Sequence, residues 1–168
     1  MGDGPKKIPK DDPRAAHQAA DVVVDLDGLA AHLEGKHRWV LATTRRDSRP
    51  QLSLVTGGML PDRTLAIATY PGRAKVRNAR RDQRVSVAVL GDEFNHSWVQ
   101  IDGDATVLDL PEAADGFVEY YRSISGEHPN WDEYRQAMAD QGKCLIVVRP
   151  TRWGPVSRGG FPPSLFED

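Results

Sequence analysis

From His37 onward, apolar and polar residues alternate over short runs, the two-residue period of half-buried strands. "HRWVLATT" is followed by the polar turn "RRDSR", then "PQLSLVTGGML", a turn at "PDR" and "TLAIATY", which together predict an antiparallel meander. "RVSVAVL", "HSWVQIDGDATVLD" with a bend expected at Gly103, and "CLIVVRP" bring the expectation to about six strands. Helical spacing is confined to four places. Leu26, Leu29, Ala30 and Leu33 share a face of a short helix that Gly35 stops, and a second short helix is expected at about Ala74–Arg81. "PEAADGFVEYYRSI" has Pro111 suited to a first turn, and "NWDEYRQAMAD" opens on Asn130 with Glu133 three residues on, a capping-box spacing. Phe117, Tyr120, Tyr121, Ile124, Trp131, Tyr134 and Met138 follow that helical spacing and predict an aromatic face packed on the sheet. So few helices cannot cover both faces of a parallel sheet. The pattern therefore predicts a mainly β fold with accessory helices, closed as a small antiparallel barrel that removes exposed edges.

The first twenty residues, "MGDGPKKIPKDDPRAAHQAA", mix three prolines with both charges and show no apolar period, so residues 1–20 are expected to be a flexible tail. Residues 21–168 are expected to form one domain. A single cysteine, Cys144, excludes an internal disulfide and reads as a small core residue in "CLIVVR". No run approaches the ~20 apolar residues of a membrane span, and the N-terminus lacks the apolar core of a signal peptide. The expectation is a cytoplasmic protein with no membrane contact.

Charge changes this picture in one place. "YPGRAKVRNARRDQRVSVAVL" crowds Arg73, Lys75, Arg77, Arg80, Arg81 and Arg84 against a single acid, Asp82, leaving 16 basic residues against 23 acidic ones elsewhere. A local +5 on a body of about −7 marks a candidate site. Gly72 allows a sharp turn, and Arg73 and Lys75 project from a helix start whose free N–H groups favour anions, a combination suited to a phosphate ester. The later arginines fit a solvated helix face. Nucleic acid is disfavoured, because no aromatic residue lies between Gly72 and Arg84 and the overall charge is acidic. In "RPQLSLVTGG" alternation puts Gln51, Ser53 and Val55 on one face and Leu52, Leu54 and Thr56 on the other, so one face offers amide and hydroxyl groups to a flat ring. Trp98, near Ser97 and Gln100, is suited to stacking or to packing. The five histidines show no metal-ligand spacing, and no Ser/His/Asp arrangement can be assigned.

In this order, "RPQLSLV", "ATYPGRAKVRNARRDQRVSV" and "SWVQIDGDA" resemble the split β-barrel flavin-binding superfamily that includes pyridoxamine 5′-phosphate oxidase. "PGRAKVRNARRDQR" together with "YYRSISGEHPNWDEYRQAM" is more similar still to the actinobacterial branch that binds the deazaflavin coenzyme F-420. The resemblance implies an FMN-binding type of split barrel. It assigns the cofactor phosphate to Arg73 and Lys75, with Thr69, Pro71 and Asn78 in support, and lines the ring with Gln51, Ser53, Leu54 and Val55. It also implies a homodimer with cofactor sites at the interface, where Trp98 approaches the ring from the partner subunit. The chain departs from the pattern at Gly72, inserted between Pro71 and Arg73, and in its Gly/Pro-rich C-terminal segment. The implied activity is an F-420-dependent reductase delivering a hydride to an unsaturated small molecule, with Tyr121 and His128 as candidate proton donors. The alternatives are an FMN-dependent oxidase of the pyridoxamine-phosphate type, with Arg152 and Arg158 as its only second anion site, and a non-catalytic F-420 carrier.

Overall fold

The computed structural model describes residues 6–93 and 96–167. In chain order the elements are β1 (Ala20–Val22), α1 (Leu26–Leu33), β2 (Arg38–Thr44), β3 (Pro50–Thr56), β4 (Gly58–Met59), β5 (Leu65–Thr69), α2 (Ala74–Arg81), β6 (Arg84–Val89), β7 (Val99–Leu108), α3 (Ala114–Ser125), α4 (Trp131–Asp140), β8 (Cys144–Trp153) and β9 (Val156–Arg158). Seven strands form one antiparallel sheet in the order β3-β2-β6-β7-β8-β5-β4. The stretch expected as one strand, "PQLSLVTGGML", is two: β3 lies at one edge of the sheet and β4 at the other, with only Gly57 between them. A single residue cannot span a flat sheet, so the sheet must curl until its edges meet. The result is a mainly β split barrel with accessory helices.

Closure is incomplete, and that positions the site. β4 pairs only with Leu65 and Ala66, so the Ala68–Thr69 end of β5 has no strand on that side, and β3 pairs only with β2. Between these two free edges the barrel is split. Gly57 sits at the seam because a Cβ there would overlap the indole of Trp39, which is buried and donates Nε1–H to the Lys36 carbonyl at 2.7 Å. The expected bend at Gly103 is a register shift against β8, where a Cβ would approach the Arg149 carbonyl oxygen to 2.5 Å.

Alternation in β2 and β6 sends Trp39, Leu41, Val85, Val87 and Val89 into the barrel, where Leu29 and Leu33 of α1 and Val76 and Ala79 of α2 plug its openings. β5 and the start of β8 are buried on both faces, since α3 and α4 cover their outside with Phe117, Tyr120, Tyr134 and Met138. That cover explains why "CLIVV" reads as a continuous apolar run, with Cys144 inside it. The Asn130 side chain accepts from the Glu133 amide at 3.1 Å, as its spacing predicts. α3 begins later than expected, at Ala114, with Pro111 in the preceding turn accepting from the Ala114 amide.

Over its described part, the expected tail lies along the C-terminal segment. Ile8 is buried and bridges Phe166, Gln18 bridges Phe161, and β1 pairs with β9. The sequence hid this because the partners are single apolar residues and backbone groups, which leave no period to read. Among the described residues no helix is long and apolar enough to cross a membrane.

Candidate functional site

The split of the barrel holds a cleft of about 520 Å³. Leu54–Thr56 of β3 form one lip, Ala68 and Thr69 of β5 the other, and Tyr120, Tyr121 and Tyr134 of α3 and α4 the far wall. Lys75 enters from the first turn of α2 and Lys143 from the turn before β8.

The basic segment is built locally. β5 ends at buried Thr69, a turn over Tyr70–Arg73 is closed by the Arg73 amide on the Tyr70 carbonyl at 3.0 Å, and α2 starts with Arg73 as its cap residue. No side chain caps that helix start. An uncapped helix start with Arg73 and Lys75 at its first positions favours an anion there. Gly72 has open space where a Cβ would be and no left-handed backbone, so glycine is not required to make this turn. The insertion therefore does not force an unusual path on the backbone.

The structure sorts the cluster of six basic residues. Arg80 pairs with Asp109 at 2.6 Å and Arg84 with Asp82 at 2.8 Å, while Arg77 and Arg81 donate to the carbonyls of Gly72 and Thr44. Arg73 and Lys75 have no carboxylate partner among the described residues. Burial, then the nearby Arg73 guanidinium, lowers the Lys75 ammonium below the ordinary lysine range. The attraction of an anion in the site would offset both effects.

The residues named from sequence fall into groups. Leu54, Val55, Thr69 and Lys75 line the cleft, and Pro71 and Arg73 are exposed on the turn that leads into α2, with the Arg73 guanidinium 6.0 Å from the centre of the Tyr70 ring. Gln51, Ser53 and Asn78 instead form a hydrogen-bond chain. Asn78 Nδ2 donates to Thr43 Oγ1 at 3.1 Å, Thr43 donates to Gln51 Oε1 at 3.1 Å, and Gln51 Nε2 donates to Ser53 Oγ at 2.8 Å. Asn78 is buried and receives Arg81 at 3.1 Å on its other side, so the chain fastens α2 to β2 and β3. Trp98 is not brought to the cleft. Its backbone pairs with Ser157 of β9, and its side chain is 39% exposed. Arg152 pairs with Asp102 at 3.6 Å and Arg158 donates to the Gln18 carbonyl at 3.0 Å, so each already has a partner.

The aromatic face that helical spacing predicts as core packing is both core and cleft lining. Tyr120 donates to the Thr56 carbonyl at 3.0 Å, bridging α3 to the unpaired edge of β3, and Tyr134 donates to the Phe117 carbonyl at 3.2 Å. Burial pushes the Tyr120 phenol up, and burial with the neighbouring Tyr120 and Tyr121 pushes Tyr134 up to about 12, so both remain protonated. Tyr121 stands edge-on to His128, Trp131 and Tyr134 with ring centres 4.9–5.8 Å apart. His128 Nδ1 accepts from the Asn130 amide at 3.0 Å, and only Tyr121 of this pair of candidate donors lines the cleft. Lys143 escaped the sequence reading. It stands 68 residues after Lys75 in no recognisable pattern, and only strand register brings it near.

A shared fold links the chain to solved structures. It is similar to a conserved hypothetical protein from Mycobacterium tuberculosis (24% identity, TM-score 0.65, covering 80% of this chain and 85% of that one) and to an F420 reductase (20%, 0.54, 73% and 93%). It is also similar to a heme binding protein from Mycobacterium smegmatis (19%, 0.58), where 79% of this chain covers 54% of the other. Residues 27–157, from the start of α1 to β9, match the sequence profile of pyridoxamine 5′-phosphate oxidase, and with the split barrel on which that match lies, this chain belongs to the pyridoxamine 5′-phosphate oxidase family.

Proposed function

We propose that the protein is an oxidoreductase that binds a phosphorylated flavin-type cofactor, coenzyme F-420 in preference to FMN, in the split of its barrel. The observation that carries this reading is the meeting of Lys75, which pairs with no carboxylate among the described residues, with the edge of β3 and an aromatic wall around one cleft, while Arg73 stands exposed on the adjoining turn. The donor set fits the group: cations and an uncapped helix start for a phosphate, and Leu54, Val55 and aromatic rings for a flat heterocycle. When bound, the reduced cofactor supplies a hydride. The chain's own residues bind and orient. Lys75 and Arg73 hold the phosphate, the Asn78–Thr43–Gln51–Ser53 chain keeps α2 and β3 in fixed relation, and Val55 lies against the ring. Of the two candidate proton donors, Tyr121 lines the cleft, and solvent is the alternative source of the proton. F-420 is favoured by the paired motifs after Pro71 and around Gly126–Met138. The oxidase reading is weakened by the engagement of Arg152 and Arg158.

The working form is a homodimer. Leu52 and Leu54 are 64% and 84% exposed on the outer face of β3, and Trp98 is exposed away from its own cleft, an arrangement a second copy would cover and complete. The test titrates purified protein with oxidised F-420, FMN and haem and then follows reduced F-420 with unsaturated ketones, quinones and tetrapyrroles. F-420 is expected to bind tightest and to be oxidised by at least one acceptor. Co-purifying FMN that F-420 cannot displace would overturn the cofactor, and tight F-420 binding without turnover would make the protein a carrier.

A further inference from the structure

We propose that Lys143 is a third cation of the anion site, closing on the phosphate of the bound cofactor from the side opposite Lys75. This rests on the phosphate-binding reading above. Thr69 pairs with Cys144 in the β5–β8 ladder, so the preceding residue of β8 and the following residue of β5, Lys143 and Tyr70, stand side by side. Gly142, at φ +59°, turns the chain out of α4 to bring Lys143 there. Lys143 Nζ lies 5.8 Å from the centre of the Tyr70 ring, against which Arg73 also rests, and Lys143 and Lys75 line one cleft with Thr69. Among the described residues Lys143, like Arg73 and Lys75, pairs with no carboxylate, although Arg80 close by does. Gathering three cations without a counter-charge is unfavourable through mutual repulsion and lost hydration. An anion bearing several oxygens reverses that cost, and a phosphate ester offers the tetrahedral set of acceptors that donors arriving from two directions need.

The experiment compares ligands with and without their phosphate: FMN against riboflavin, and F-420 against its phosphate-free deazaflavin alcohol. Each is titrated into wild type, Lys143→Met, Lys143→Arg and the control Arg80→Ala. Methionine keeps an apolar stem over Tyr70 and removes only the charge. Lys143→Met should weaken the phosphorylated ligand about tenfold and its phosphate-free counterpart less than about twofold, with Lys143→Arg close to wild type. Equal losses for both ligands of a pair, or no loss where wild type binds, would overturn the proposal. A cooperative thermal melt verifies folding, and Lys143→Gln replaces the methionine variant if that one fails it. The same melts with inorganic pyrophosphate at constant ionic strength separate the two readings. If wild type binds neither cofactor, the proposed function fails. A pyrophosphate-induced rise in Tm that Lys143→Met loses would still support the anion site, and an unchanged Tm would sink it.

Discussion

Arg73 and Arg80 belong to the same short helix and face different prospects. Both oxygens of Asp109 already occupy Arg80, at 2.7 and 2.6 Å, whereas Arg73 has only the face of Tyr70. Replacing Arg73 or Lys75 with alanine is therefore expected to weaken cofactor binding by roughly 1–3 kcal/mol each, and Arg80→Ala by much less. A fluorescence titration checks this, and equal small effects at all three positions would mean a diffuse surface patch. Lys75 adds a pH signature. Its ammonium is held below the usual lysine range by burial and by Arg73, so the charge that attracts the phosphate is lost earlier as pH rises. Affinity for a phosphorylated cofactor should begin to fall at a lower pH in wild type than in Lys75→Arg, whose guanidinium keeps its charge. Identical profiles in the two proteins would remove Lys75 from the binding step. Arg73 and Lys75 could be found in the sequence because a turn, a helix start and two charges are contiguous. Lys143 could not, because its place depends on which residue of β8 meets Thr69.

At the scale of elements, the seam at Gly57 decides whether a barrel forms. Trp39 is locked by its bond to the Lys36 carbonyl and is 1% exposed, so it has no room to yield to a methyl group. Gly57→Ala is expected to destabilise the fold by about 3 kcal/mol or more, at or above the upper end of ordinary overpacking, read as a shift in the denaturant midpoint. Wild-type stability in that variant would show that the indole moves freely. The alternation along "PQLSLVT" gave the two faces of β3 correctly, with Gln51, Ser53 and Val55 half-buried and Leu52, Leu54 and Thr56 exposed. The break into β3 and β4 was marked only by "GG", and periodicity carries no information on which edges later meet. Asn78 is on the buried side of α2, bonded to Thr43. Polarity within an arginine-rich helix does not say which way a residue faces.

For the molecule as a whole, the exposed leucines of β3 and Trp98 are the surface that the proposed homodimer would cover. Sedimentation equilibrium at micromolar concentration should return twice 18.6 kDa, and a stable monomer would withdraw Trp98 from the site. The small ladder of β1 and β9 has a different bearing. It joins residues as far apart as Ala20 and Arg158, 138 positions distant, through three pairs whose β1 members are all exposed. Closing so long a loop gains little burial in return, so the ladder can form only after the barrel has drawn its two ends together. It is accordingly a late-forming unit that opens at a fraction of the free energy of global unfolding. Trp98, whose backbone bridges the middle residue of β9 through its own pair of hydrogen bonds, borders that late-forming unit.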